Sequence, residues 1–186
     1  MAMVKKKEEG MDIETRMIGT ALHETYHGLH ATQAGLCVTG VEIHPKRQTI
    51  VTWPFAPREL WEAYAQHPLL ALQQLRAILG TLLAPHLLLR DGTTGCDLVA
   101  LQAWESAWRF ARVFSDPVGP TFAELRAQAE KAVLAWHATE RRSIQVRYIA
   151  EQLLDRNAVD AETWKALVRQ DEDVAAPAWR KRYASV

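Results

Sequence analysis

A chain of 186 residues with 22 basic and 22 acidic side chains has no net field to draw it onto nucleic acid or an anionic membrane surface, so neither is expected as a partner. Its 48% hydrophobic content is enough to bury one core, which predicts a single domain over residues 12–169. The two cysteines, Cys37 and Cys96, make no disulfide framework and fit no zinc-knuckle spacing, consistent with a reducing compartment.

Residues 1–11 alternate basic and acidic runs without an apolar segment or a small-residue cleavage site. A charged, flexible leader and a cytoplasmic location are therefore expected. Asp12 can cap a helix from Ile13 to about Ala34, with Gly35 as its stop. Ile18, Leu22, Thr25 and Leu29 recur at helical spacing as a core stripe, and His23, His27 and His30 lie on a face roughly 100° away. Val38 to His44 and Gln48 to Trp53 are β-prone runs around Pro45-Lys46-Arg47, which predicts an antiparallel hairpin.

Arg58 to Gln66 reads as a short helix following Pro57. The apolar run Leu69 to Leu89 has the length of a membrane span, but Gln73, Gln74, Arg76 and His86 make a buried helix the better reading, kinked or broken near Pro85. Asp91 to Gly95 is a loop by composition, and Asp97 stands near the start of a helix reaching about Phe114. Trp104 and Trp108 sit four apart on that helix and are expected to pack in the core. Phe122 to Arg156 is helical with a joint near Thr139, Ala161 to Arg169 forms a last helix, and 170–186 is a polar tail. The expected fold class is mainly α (α+β), a zincin-like helical domain with one small hairpin or sheet beside the motif helix.

His23-Glu24-x-x-His27 carries the chemistry. Histidines at i and i+4 share a helix side about 6 Å apart, so both imidazoles can reach one metal ion, and Glu24 can take a proton from a water on that ion. Zinc lowers the pKa of such a water from about 15.7 towards 7, which makes it a nucleophile for a polarised carbonyl. A third protein ligand is needed, and His30, Cys96 and Asp97 are candidates. His30 stands roughly 10 Å along the helix axis from His23, too far for three imidazoles to converge.

Ala21-Leu22-His23-Glu24-Thr25-Tyr26-His27-Gly28 resembles the A-x-H-E-A-G-H-A segment of the M41 peptidases, the proteolytic domain of FtsH-type proteases. Val41-Glu42-Ile43-His44-Pro45 resembles that family's V-x-I-x-P strand, and Thr94-Gly95-Cys96-Asp97-Leu98 its T-G-x-x-x-D-L run. Ile149-Ala150-Glu151-Gln152-Leu153-Leu154 is similar to its late A-E-x-L-L helix. The resemblance implies that His23, His27 and Asp97 bind Zn2+ and that Glu24 is the general base; by resemblance and by its β-prone character, the strand carrying Thr49, Ile50, Val51 and Thr52 is the candidate to pair with an extended polypeptide substrate, the alternative being a simple core strand.

Departures accompany it. Thr25 and Tyr26 replace a small Ala-Gly pair, Tyr26 being a packing residue or an oxyanion donor, and the glycine-to-aspartate spacing is two residues shorter than in the family run. Cys96 stands beside the implied ligand, leaving a cysteine-ligated site or a small buried thiol. No G-x-x-x-x-G-K-[S/T] loop occurs in the chain. The expected function is thus a zinc-dependent, ATP-independent peptidase that cuts flexible polypeptide or receives it from a separate delivering partner, with homo-oligomerisation open. The alternative is an M41-like binding or regulatory module with a structural zinc.

Overall fold

The computed structural model describes residues 2–43, 48–89, 95–115, 119–138 and 140–170. The expected Pro45-Lys46-Arg47 turn, most of the Asp91 to Gly95 loop and the tail from 171 lie outside them. The fold is mainly helical, with 80% helix and a small three-stranded antiparallel sheet, as expected. Among the described residues no helix is long and apolar enough to cross a membrane.

The helix carrying the motif, α1, runs from Ala2 to Gln33 and so begins eleven residues before Ile13. Lys and Glu dominate 5–9 and are good helix formers, so the charged leader continues the helix, and Asp12 lies within it. The expected stop is observed: Gly35 adopts φ 77, and the Leu36 N–H donates to the Ala31 carbonyl at 2.8 Å, the closure that a left-handed glycine permits. The expected single stripe is not. Ile18 is 43% exposed, whereas from Thr20 to Ala31 only Leu22 and His23 are more than marginally accessible. A helix covered on nearly all sides needs no amphipathic pattern.

The described residues cluster into two compact units. One comprises Met1–Leu29, Val38–Ile50 and Thr139–Val186. Strand β1, Cys37–Glu42, is the centre of the sheet, flanked by β2, Gln48–Thr52, and β3, Ala158–Asp160. β2 is therefore an edge strand. β3 was not expected. It pairs antiparallel with β1 in the register Gly40 to Asp160, Val41 to Val159 and Glu42 to Ala158. Asn157, at φ 62, turns the chain from α6, Glu140–Arg156, into this strand, and its carbonyl accepts from the Ile43 N–H at 2.9 Å. The Asp160 carboxylate then accepts from the Thr163 N–H at 2.8 Å, capping α7, Ala161–Gln170, and that bond holds its carboxyl below the usual range.

α7 places Trp164 against the motif helix. The Trp164 ring lies where a Cβ on Gly28 would stand, 2.5 Å from two of its atoms, and the ring is 1% exposed. Only glycine lets the two helices approach this closely at that point.

The other unit comprises His30–Cys37 and Val51–Ala138. A 3-10 turn, Pro57–Glu59, leads into α2, Leu60–Gln66, followed by α3, Pro68–Leu89, α4, Gly95–Ser115, and α5, Phe122–His137. α3 is continuous through Pro85, which is buried in the helix, so the expected break does not occur. Leu75, Ile78, Leu79 and Leu83 of α3 form the core with Leu60, Trp104, Trp108 and Leu125. Trp104 meets Phe55 at 5.9 Å and Trp108 meets Tyr64 edge-on at 4.9 Å, the expected packing role. The Trp108 indole also donates to the Pro120 carbonyl at 2.9 Å. Thr121 caps α5 in a reciprocal box with Glu124, whose carboxyl is held low by the Thr121 N–H and hydroxyl. α5 and α6 are separate helices, as the joint expected near 139 requires.

Candidate metal centre

Successive turns of α1 put His23 and His27 one above the other, and their Nε2 atoms stand 3.1 Å apart. Two ligands at zinc–nitrogen bond lengths of about 2.05 Å and a tetrahedral angle are separated by about 3.3 Å. The pair is thus already spaced as two ligands of one small cation. Its rings meet edge-on at 4.7 Å, which points both nitrogens at the same region. His27 is 8% exposed and His23 half-buried, so the donors sit in a partly desolvated position.

Glu24 is 4% exposed, and a buried carboxylate needs a donor. Thr49 of β2 supplies it. Its hydroxyl lies 2.8 Å from Glu24 Oε2 and 2.9 Å from the Glu24 carbonyl oxygen, one proton serving two acceptors. The pairing fixes the carboxylate on the turn that carries His23 and His27. Of the four strand residues singled out for substrate pairing, Thr49 and Val51 are half-covered while Ile50 and Thr52 are exposed. Thr49 has this second task, which the sequence reading missed; a threonine on the second strand after the motif was the only signal for it.

Asp97 stands in the first turn of α4 and is 8% exposed. His86, in the last turn of α3, brings Nε2 to 4.0 Å from Asp97 Oδ2. A histidine in the apolar last turns of that helix was its only sequence signal. His23, His27 and Asp97 are the group of side chains that can each offer one ligand atom to a metal ion. Two imidazole nitrogens and a carboxylate oxygen are a donor set that suits zinc.

Of the competing third ligands, His30 falls elsewhere. His30 packs edge-on against Trp136 of α5, centroids 4.3 Å apart, and is not in the metal group. The backbone of Cys96 is helical, and its side chain lies outside the described residues. Tyr26 is 5% exposed, and burial pushes its phenol up to about 12 while Arg147 pulls the other way. Thr25 is fully buried, and its hydroxyl donates to the Ala21 carbonyl at 2.7 Å within the same helix. Compared with known proteins, the chain matches no family model, no curated protein and no solved structure.

Proposed function

We propose that this chain is a zinc-dependent, ATP-independent peptidase of the M41 type, acting in the cytoplasm on flexible polypeptide or on polypeptide supplied by a separate partner. The observation that carries the reading is the 3.1 Å separation of the His23 and His27 Nε2 atoms. In this reading His23, His27 and Asp97 hold the ion, and a bound zinc supplies Lewis acidity toward a carbonyl and acidifies water at neutral pH.

The protein's own groups do the remaining work. Glu24, next to His23 on the helix, takes the proton of the attacking water and passes it to the departing amine. Thr49 holds the Glu24 carboxylate in one orientation through the 2.8 Å bond. His86 lies close enough to Asp97 to orient it. The free edge of β2 offers main-chain donors and acceptors to an extended substrate, which the alternation of Thr49, Ile50, Val51 and Thr52 would hold in register.

Elemental analysis of protein purified without added metal, joined to cleavage of an unfolded polypeptide by wild type and Glu24→Ala, tests the reading. One zinc per chain in both proteins and cleavage only by wild type is the expected result. Full cleavage by Glu24→Ala would remove the mechanism. The burial of Glu24 and its tie to Thr49 favour a second reading, a zinc-holding binding or regulatory module. Stoichiometric zinc with no cleavage of any unfolded chain supports that one.

A further inference from the structure

Helix α4 carries two apolar seams. Leu101, Trp104, Trp108 and Ala111 form the first and are buried in the core of their unit. The second, Val99, Ala103, Ser106, Phe110 and Val113, follows the alternating four-three spacing of a helix that packs along another helix. It faces outward among the described residues, with Val99 66%, Phe110 50% and Val113 73% exposed, and Phe114 beside it 67% exposed. A helix serving only its own core needs one such seam, and a solvent-facing side is ordinarily polar. The charged residues keep off this seam: Glu105 and Arg109 pair with each other on its flank.

The sizes along the seam are ordered. Ala103, Ser106 and Ala107 are small and sit in the middle, whereas Phe110 and Phe114, their rings tilted against each other with centroids 4.5 Å apart, are large and lie towards the C-terminus. The small residues leave a hollow of about 400 Å3, lined by Pro57, Arg58, Trp61, Ala103, Ala107 and Phe110. Two copies of α4 placed antiparallel about a two-fold axis between Ser106 and Ala107 bring Phe110 of each opposite Ala103 of the other. Large then meets small along the whole seam, and Phe114 meets Val99. Together with Trp61, 40% exposed, the seam offers on the order of 600–700 Å2, near the roughly 800 Å2 per partner that a stable interface buries. Such a patch exceeds what a monomer commonly leaves open.

We propose that the occupant of this face is a second copy of the same chain, the two α4 helices packing antiparallel with each Phe110 seated in the other's hollow against Trp61. Self-complementarity of one patch is what a two-fold interface demands. The inference is independent of the metal centre.

Sedimentation velocity of the full chain over a range of roughly 1–200 µM tests it. Wild type is expected to form a dimer, and Phe110→Glu or Val113→Glu to raise Kd at least about a hundredfold with an unchanged far-UV circular dichroism spectrum, since both positions are exposed in a single copy. Ala103→Phe and Phe110→Ala should each weaken the dimer about tenfold, and the double variant should return to within about threefold of wild type. A wild-type chain monomeric throughout that range, a dimer indifferent to both glutamates, or a double variant without recovery would overturn the proposal.

Discussion

The Thr49 hydroxyl lies 2.8 Å from Oε2 of Glu24, so the edge strand of the sheet holds the carboxylate of the motif helix. Thr49→Val keeps the shape and removes the donor, leaving a buried oxygen unsatisfied at a cost of about 1–3 kcal/mol. Denaturant unfolding should show that loss, and peptidase turnover should fall about tenfold with zinc content unchanged. Thr49→Ser restores the hydroxyl and should recover both. Equal behaviour of the valine and serine variants would show that the bond has no positioning role.

Gly28→Ala is expected to destabilise the protein by about 1–3 kcal/mol, because the new methyl meets the buried Trp164 ring and neither helix can yield freely. Trp164→Leu in the same chain opens the space. The double variant should therefore lose less than the sum of the two single losses, a coupling read directly from a double-mutant cycle by urea denaturation. Strict additivity would show that the contact carries no energy.

Zinc should stabilise the folded chain. At a hundred times Kd a ligand specific to the folded state adds about 2.7 kcal/mol, visible as a rise in Tm that a chelator reverses. His27→Ala and Asp97→Ala should each abolish the rise, whereas His30→Ala should leave it intact, since His30 packs on Trp136. An equal zinc response in wild type and Asp97→Ala would assign the third ligand to another group.

Tyr26 governs the alkaline limit. Its phenol is pushed up to about 12 in the folded chain, and an unfolded tyrosine ionises near 10. Between those values the unfolded chain has released a proton that the folded chain retains. The stability contributed by this difference is whole below pH 10 and is lost as pH rises towards about 12. Denaturant midpoints measured from pH 9 to 12 should fall more steeply for wild type than for Tyr26→Phe. Parallel curves would show that another group sets the limit.

The helices, the hairpin and the core tryptophans were legible because each depends on neighbours a few residues away. The Gly35 stop is one example, and the four-residue spacing of Trp104 and Trp108 is another. What was missed depends on residues far apart. β3 is three residues long and has no periodicity; it exists because Asn157 turns into αL and delivers Val159 to β1. Pro85 continues its helix because the surrounding core outweighs one lost backbone bond, which no local rule anticipates. At the site, His23 and His27 could be placed from helix geometry alone. Asp97 came from resemblance, and the tie from Thr49 to Glu24 spans 25 positions and needed coordinates.

The pairing of Gly40 with Asp160 closes a loop of about 120 residues, and α7, which supplies Trp164, follows that strand. Closure of so long a loop is slow, and on a ribosome it cannot begin until Asp160 has emerged. The histidine pair is therefore made well before Trp164 arrives to brace its helix. A chain released after residue 156 should accordingly fail to hold zinc at full affinity, which equilibrium dialysis against the 186-residue protein would reveal.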